Sequence, residues 1–266
     1  MPLSGILKRT LLPTLKWLLI ALLIFALLSA ALYLITTPKQ DRDWTEAHAL
    51  LANIYFQGDT SNPDITVKNI RDFNWQSANI ARYKDMNFKL HNVVELKAVV
   101  SHFSAISEIA HVFVIFVLDD GRELGVSIEA RREQGEEFSI QGGLLAQFEI
   151  IYVLASPQDL LGIRKINNEA THIYPIKETK EKAQELFMLI AGRVNQLNKE
   201  PGLYHLFFKN CTIQLVKDVS ILTKEKYPWY FQTLAPGLSS RILYDLDLID
   251  LPDTGFDDIQ LRTLVK

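Results

Sequence analysis

The chain contains a single cysteine, Cys211, and six histidines. A thiol becomes a nucleophile when it ionises and when a base stands within reach to take its proton. Asn210, a good helix N-cap residue, directly precedes Cys211, and Ile213, Val216 and Val219 follow at helical spacing. That pattern places the sulfur in the first turn of a helix. Unsatisfied backbone N–H groups and the positive end of the helix dipole would there favour a thiolate and could steady an oxyanion. The base must come from His48, His91, His102, His111, His172 or His205. His111 differs from the others because it opens a strongly apolar run, where a polar ring needs a partner. Glu129, on the strand expected to face it, would hold one ring nitrogen and raise the basicity of the other. Cys211, His111 and Glu129 are therefore the candidate catalytic set. His205, six residues before the cysteine, and His102 are alternative bases. The bland reading competes throughout, since a lone cysteine is commonly a small buried hydrophobe and a loop histidine is commonly structural.

Other chemistries fit less well. One cysteine rules out an internal disulfide and any Cys-rich zinc site. Neither an HExxH pair nor clustered Cys/His spacing occurs, and Gly142-Gly143 lacks the Lys-Ser/Thr of a phosphate loop. Asp119-Asp120 reads as turn chemistry. No metal or cofactor is expected. A formal net charge of -3 gives no broad cationic surface for nucleic acid.

The elements that must position these residues form a largely antiparallel sheet with helices. Ile65 to Trp75 and Val93 to Phe103 alternate well enough to be strands. Val112 to Leu118, the turn Asp119-Asp120-Gly121 and the alternating stretch Glu123 to Arg131 read as a β-hairpin. A three-residue loop with Gly121 left-handed sets Leu118 against Arg122 and His111 against Glu129, on one face. A two-residue loop would put Glu129 on the other face. Phe148 to Ala155 and Thr171 to Ile176 are further strands, and Pro157 to Arg164 is a helical turn. Lys182 to Leu197 is an amphipathic helix, and Trp44 to Asn53 is expected to be a short one. The mixed charges of Glu129 to Glu137 read mainly as a solvated strand end.

The N-terminus is different. Trp17 to Ile35 is apolar apart from Ser29, and only Lys8, Arg9 and Lys16 carry charge before residue 39. Nineteen such residues nearly span a bilayer core, which points to an uncleaved transmembrane anchor rather than a signal peptide. The basic residues before it favour a cytoplasmic N-terminus. Residues 1–38 are thus read as N-terminus and anchor, and 39–266, without a linker or repeat, as one external domain.

Six blocks carry a family resemblance: Ala110-His111 before an apolar strand, Ser127-Ile128-Glu129-Ala130-Arg131, Gly143-Leu144 leading to Tyr152, Asp159 with Arg164, Tyr174-Pro175, and Asn210-Cys211-Thr212. In this order they resemble the Lnb-type lipoprotein N-acyltransferase domain over roughly residues 40 to 250, including a tail from Pro236-Gly237 to Leu243-Tyr244-Asp245-Leu246. The resemblance implies an α+β, permuted papain-like (NlpC-type) fold. Cys211 would be its nucleophile, His111 its base and Glu129 the orienting carboxylate. It further implies a bacterial inner-membrane protein with its catalytic domain in the periplasm. The activity implied moves an acyl chain from a phospholipid, through an acyl-cysteine thioester, to the amino terminus of a diacylglyceryl lipoprotein. Two other readings share these residues: a periplasmic cysteine amidase or peptidase of the cell wall, and a non-catalytic envelope scaffold.

Overall fold

The computed structural model describes residues 3–76, 82–224 and 235–265. Among these residues, eight strands and seven α-helices form a mixed α+β arrangement. Helix α1 (Leu3–Ile35) is followed by β1 (Asn53–Gln57), β2 (Asp64–Arg71), β3 (Tyr83–Lys89), β4 (Val93–His102), β5 (His111–Leu118) and β6 (Glu123–Arg131). Then come α2 (Ile140–Leu144), β7 (Glu149–Ala155), α3 (Pro157–Ile166), β8 (Ala170–Pro175), α4 (Lys180–Lys199) and α5 (Cys211–Thr223). Two short helices, α6 (Ser239–Asp245) and α7 (Phe256–Thr263), complete the order. The sheet runs β1-β2-β7-β6-β5-β4-β8, with β3 also on β2. These strands pair antiparallel throughout except for a single parallel contact, Arg71 with Ala155, between β2 and β7.

The β5–β6 turn takes the three-residue form. Leu118 N–H donates to the Arg122 carbonyl at 2.8 Å, Gly121 lies at φ 82°, and Val117 pairs with Glu123. Side chains alternate across a sheet, so this register sorts the hairpin onto two faces. Val112, Val114, Phe116, Val126 and Ile128 pack against Leu186, Phe187 and Ile190 of α4 and Cys211 and Leu215 of α5. Phe113 and Ile115, with Val99, Ile151 and Val153, pack on the other face against Leu160 of α3. A third cluster, Val100, Ala110, Tyr174, Ile249 and Ile259, closes the end beside β8.

The helix expected from Trp44 to Asn53 is only one 3-10 turn, Glu46–His48, and Asn53 already begins β1. The carbonyl oxygens that would carry a helix onward are taken by two arginines: Arg71 Nη1 donates to Ala47, and Arg131 donates from Nε to His48 and from Nη2 to Ala49. Strands β1 and β3 were not expected. Ile54 is the one buried residue of the first, and only Met86 and Phe88 are buried in the second. That is too little alternation to read against charged neighbours.

Arg71 ends β2 where the two parts of the sheet meet, and it is held by Asp159 at the start of α3. Arg71 Nε donates to both Asp159 oxygens at 3.0 Å, and Nη2 reaches Oδ1 at 2.9 Å. Asp159 also accepts from Phe73 N–H at 2.8 Å, and Trp75 Nε1 donates to its backbone carbonyl at 3.0 Å. Both ionic groups are almost fully enclosed. Removing Asp159 leaves the buried Arg71 guanidinium without its hydrogen-bonded counter-ion, with only the Glu129 carboxylate at 3.8 Å to offset it. Asp159→Ala is therefore expected to lower stability by about 3–5 kcal/mol in chemical denaturation. The double replacement Arg71→Met with Asp159→Leu should recover part of that loss.

Candidate functional site

Cys211 is the first residue of α5. Asn210 caps the helix: its Oδ1 accepts the Ile213 N–H at 2.8 Å, and its own Nδ2 donates to the Leu206 carbonyl. Cys211 is 8% exposed, and its sulfur lies 3.7 Å from Thr212 Oγ1. Burial raises the thiol pKa, against which the backbone N–H groups of Val112, Thr212 and Cys211 itself pull. Tyr204 is buried close enough for a charge on Cys211 to raise its own pKa further.

His111 begins β5, next to the Val112 amide that acts on the sulfur. Its ring lies on the face opposite Cys211, with Phe113 and the residues under α3. His111 Nε2 is 2.7 Å from Ser127 Oγ, and Ser127 Oγ donates to Glu129 Oε1 at 2.8 Å. His111 and Glu129 therefore share a face, as expected, but Ser127 joins them in place of a direct bond. Among the described residues, no hydrogen bond links Cys211 to an imidazole.

The sheet parts at this point. The β5–β6 ladder ends at Val114 with Val126; beyond it, His111 to Phe113 stay with β4 while Ser127 to Arg131 stay with β7. The sulfur meets Val112 on one side of this seam, and the His111 ring spans it to Ser127 on the other. The candidate set Cys211, His111 and Glu129 is thus brought to one seam but divided between the two faces of the sheet.

Glu129 sits between an imidazole and two guanidinium groups. His48 Nε2 is 3.1 Å from its Oε2, Arg71 Nη1 is 3.8 Å from the same oxygen, and Arg164 Nη2 is 3.8 Å from Oε1. Burial works against the Glu129 carboxylate, but Arg71, His48 and Arg164 outweigh it and hold its pKa well below the usual range. Burial, then the charge of Arg164, push His111 down to about 3 despite Glu129. The resting sulfur and imidazole are accordingly both neutral.

The alternative bases lie elsewhere. His205 Nδ1 accepts from Phe207 N–H, and its Nε2 is 3.0 Å from Ser29 Oγ. His102 Nδ1 is 3.0 Å from the Ser107 carbonyl, with the ring edge-on to His172. Among the described residues, no group of three or more His, Cys, Asp or Glu is arranged to hold a metal.

Sequence reasoning missed Ser127, His48, Arg71 and Arg164 as parts of this site. The first was within reach, because Ser127 and Glu129 are two apart on a strand and must share a face. His48 gives no such signal; it is 81 positions from Glu129.

The direction of the His111 shift fixes a pH dependence. An unfolded ring takes up a proton as the pH falls through about 6.5, whereas the folded ring resists until about 3. The stability that His111 contributes is complete above the upper value and is lost progressively between the two. His48, also lowered by burial, acts in the same sense. The denaturation midpoint should therefore fall from neutral pH to about pH 5, and His111→Gln should make that fall shallower. An unchanged slope would contradict the buried neutral ring.

No curated protein and no solved structure matches the chain. The family model described as the Lnb N-terminal periplasmic domain matches residues 80–237, which include His111, Ser127, Glu129 and Cys211. With more than half of its length matched, the chain belongs to this family, a periplasmic domain of lipoprotein-processing proteins.

Proposed function

We propose that the protein is a cysteine-dependent lipoprotein N-acyltransferase of the bacterial inner membrane, with its domain in the periplasm. The observation that carries this reading is the seam: a helix-start thiol against the Val112 amide, beside an imidazole whose Nε2 is already held by Ser127. With Nε2 engaged, Nδ1 is the nitrogen left to act as base, and it is the one nearer the strand backbone. Ser127 and Glu129 are positioning residues that fix the ring.

The reaction proceeds in two balanced halves. Cys211 Sγ gives its proton to His111 and attacks a phospholipid ester carbonyl; the oxyanion is met by backbone N–H groups at the start of α5. The C–O bond breaks, and His111 returns the proton to the departing lysophospholipid. The α-amino group of a diacylglyceryl lipoprotein then attacks the thioester, a C–N bond forms, and the C–S bond breaks. The amine loses its proton to His111, which passes it to the thiolate. Because sulfur and imidazole rest on separate faces, substrate binding must draw Sγ and Nδ1 together through the seam. Until then the thiol stays protonated, which protects it from idle reaction with water-borne electrophiles.

Helix α1 supports the location. Within its stretch Thr14–Ile35 the most apolar 18 residues have a mean hydropathy of 2.9, and the stretch is long enough to cross a bilayer. Donor and acceptor both reside in that membrane, so a tethered domain meets them at raised effective concentration.

In cells lacking other N-acyltransferases, Cys211→Ser and His111→Ala should each abolish N-acylation of a test lipoprotein while the protein still inserts normally. Intact-mass analysis of that lipoprotein reads the result, and unchanged triacylation in either variant would overturn the reading. A fatty acid trapped on Cys211 separates this activity from a cell-wall amidase. Ser127→Ala should lower kcat on the order of 10- to 100-fold with little change in KM, because it loosens the ring without touching the lipid.

A further inference from the structure

Helix α1 does not stand clear of the domain. Ser29, the polar residue inside the apolar span, is 4% exposed. Its Oγ donates to the Leu144 carbonyl at 2.6 Å and lies 3.0 Å from His205 Nε2. One turn on, the Tyr33 ring packs edge-on to His205 at 5.2 Å and against Phe208 at 5.8 Å. Ser29 is six residues before the end of α1, so these contacts lie roughly 9 Å below the helix end at 1.5 Å per residue. Whatever touches Ser29 is at that depth too.

The two segments that touch it carry an apolar rim. The loop before Cys211 presents Phe207 and Phe208, 42% and 48% exposed, and the α2 region presents Phe138, Ile140 and Leu145, of which Ile140 is 56% exposed. The segments are one surface: Leu206 N–H donates to the Gly143 carbonyl, and Phe138 packs edge-on to Tyr204. Scattered apolar residues on a surface need no explanation, but these sit on two hydrogen-bonded segments that both touch α1, one of which leads into the capped start of α5.

We propose that this rim, Phe138, Ile140, Leu145, Phe207 and Phe208, is sunk in the outer leaflet, with Ser29 and His205 setting its depth. The occupant of the surface is the bilayer itself. The depth of Ser29 falls within the roughly 5–10 Å reached by interfacial apolar faces. The rim ends at Asn210-Cys211, so the seam opens at the level where lipid ester groups lie. The inference rests on α1 spanning the membrane and deepens the function proposed above by stating how a lipid enters.

The test uses the full chain in phosphatidylcholine/phosphatidylglycerol nanodiscs, with Cys211→Ser providing a cysteine-free background. Single cysteines are introduced by Ile140→Cys, Phe207→Cys, Leu22→Cys and Asp120→Cys, and each is labelled with an environment-sensitive fluorophore. Asp120 is at the hairpin tip, at the far end of β5 from Val112. Phosphatidylcholine carrying a nitroxide near the carboxyl end of its acyl chain should quench the labels at 140 and 207 several-fold and spare the label at 120. If 140 and 207 respond like 120 while 22 is quenched, the sunken rim is overturned although the span stands. If 22 is also spared, the span itself is overturned and the rim with it. Because the background lacks the thiol, none of these outcomes depends on acyl transfer. Loss of that activity in the separate cellular assay leaves the rim untouched.

Discussion

Between Leu118 and Arg122 the chain reverses in three residues, and because side chains alternate along a strand, that turn length decides which residues look towards α5 and which towards α3. With this register, Val112 and Val126 help build the apolar floor beneath Cys211, while His111, Ser127 and Glu129 share the opposite face. A slip of one residue in β6 would move Leu124, Val126 and Ile128 to the α3 face and bring Glu123, Glu129 and Arg131 into the main core. The strong burial on both faces is what makes this register stable.

The two faces carry opposite kinds of environment. Around the sulfur lie apolar side chains, backbone N–H groups and the Thr212 hydroxyl, and burial keeps the thiol protonated. Around Glu129, partners converge from three separate parts of the chain: the His48 ring from the 3-10 turn, and the cations Arg71 from the end of β2 and Arg164 from α3. A carboxylate so compensated stays ionised, and its neighbour Ser127 has a fixed acceptor for its hydroxyl proton. That leaves Ser127 Oγ as the acceptor for a proton on His111 Nε2 and settles the tautomer, with Nδ1 unprotonated. The parting of β5 from β6 is where these environments come within one residue of each other along the chain.

Much of this was legible in residue order. The hairpin register followed from Gly121 and the lengths of the flanking runs, and the cap of α5 followed from Asn210 alone. The expected α+β, mainly antiparallel organisation holds because local signals and packing agree there. What could not be read is long-range. Arg71 and Arg131 unmake a helix at residues 47–49 by taking its carbonyl oxygens, and nothing in that segment announces them. Strand register gives which face a residue occupies but not whether two groups on that face touch, so the carboxylate was expected on the imidazole and is found on Ser127. The facing of Cys211 depends on how α5 crosses the sheet, which is a property of tertiary packing.

The segment that follows α1 is also fastened. Lys39 N–H donates to the Glu149 carboxylate, Gln40 Nε2 to the carbonyls of Leu197 and Asn198, and Trp44 Nε1 to the Gln40 carbonyl. The Trp44 ring lies beneath Arg131 at 4.0 Å and near Arg42 at 5.1 Å. A helix bolted this way acts as a lever arm rather than a leash. Helices lean to match bilayers of different thickness, and here helix and domain must lean together. With α1 spanning a membrane as proposed, the attitude of the seam towards the lipid headgroups is inherited from the thickness of the surrounding bilayer.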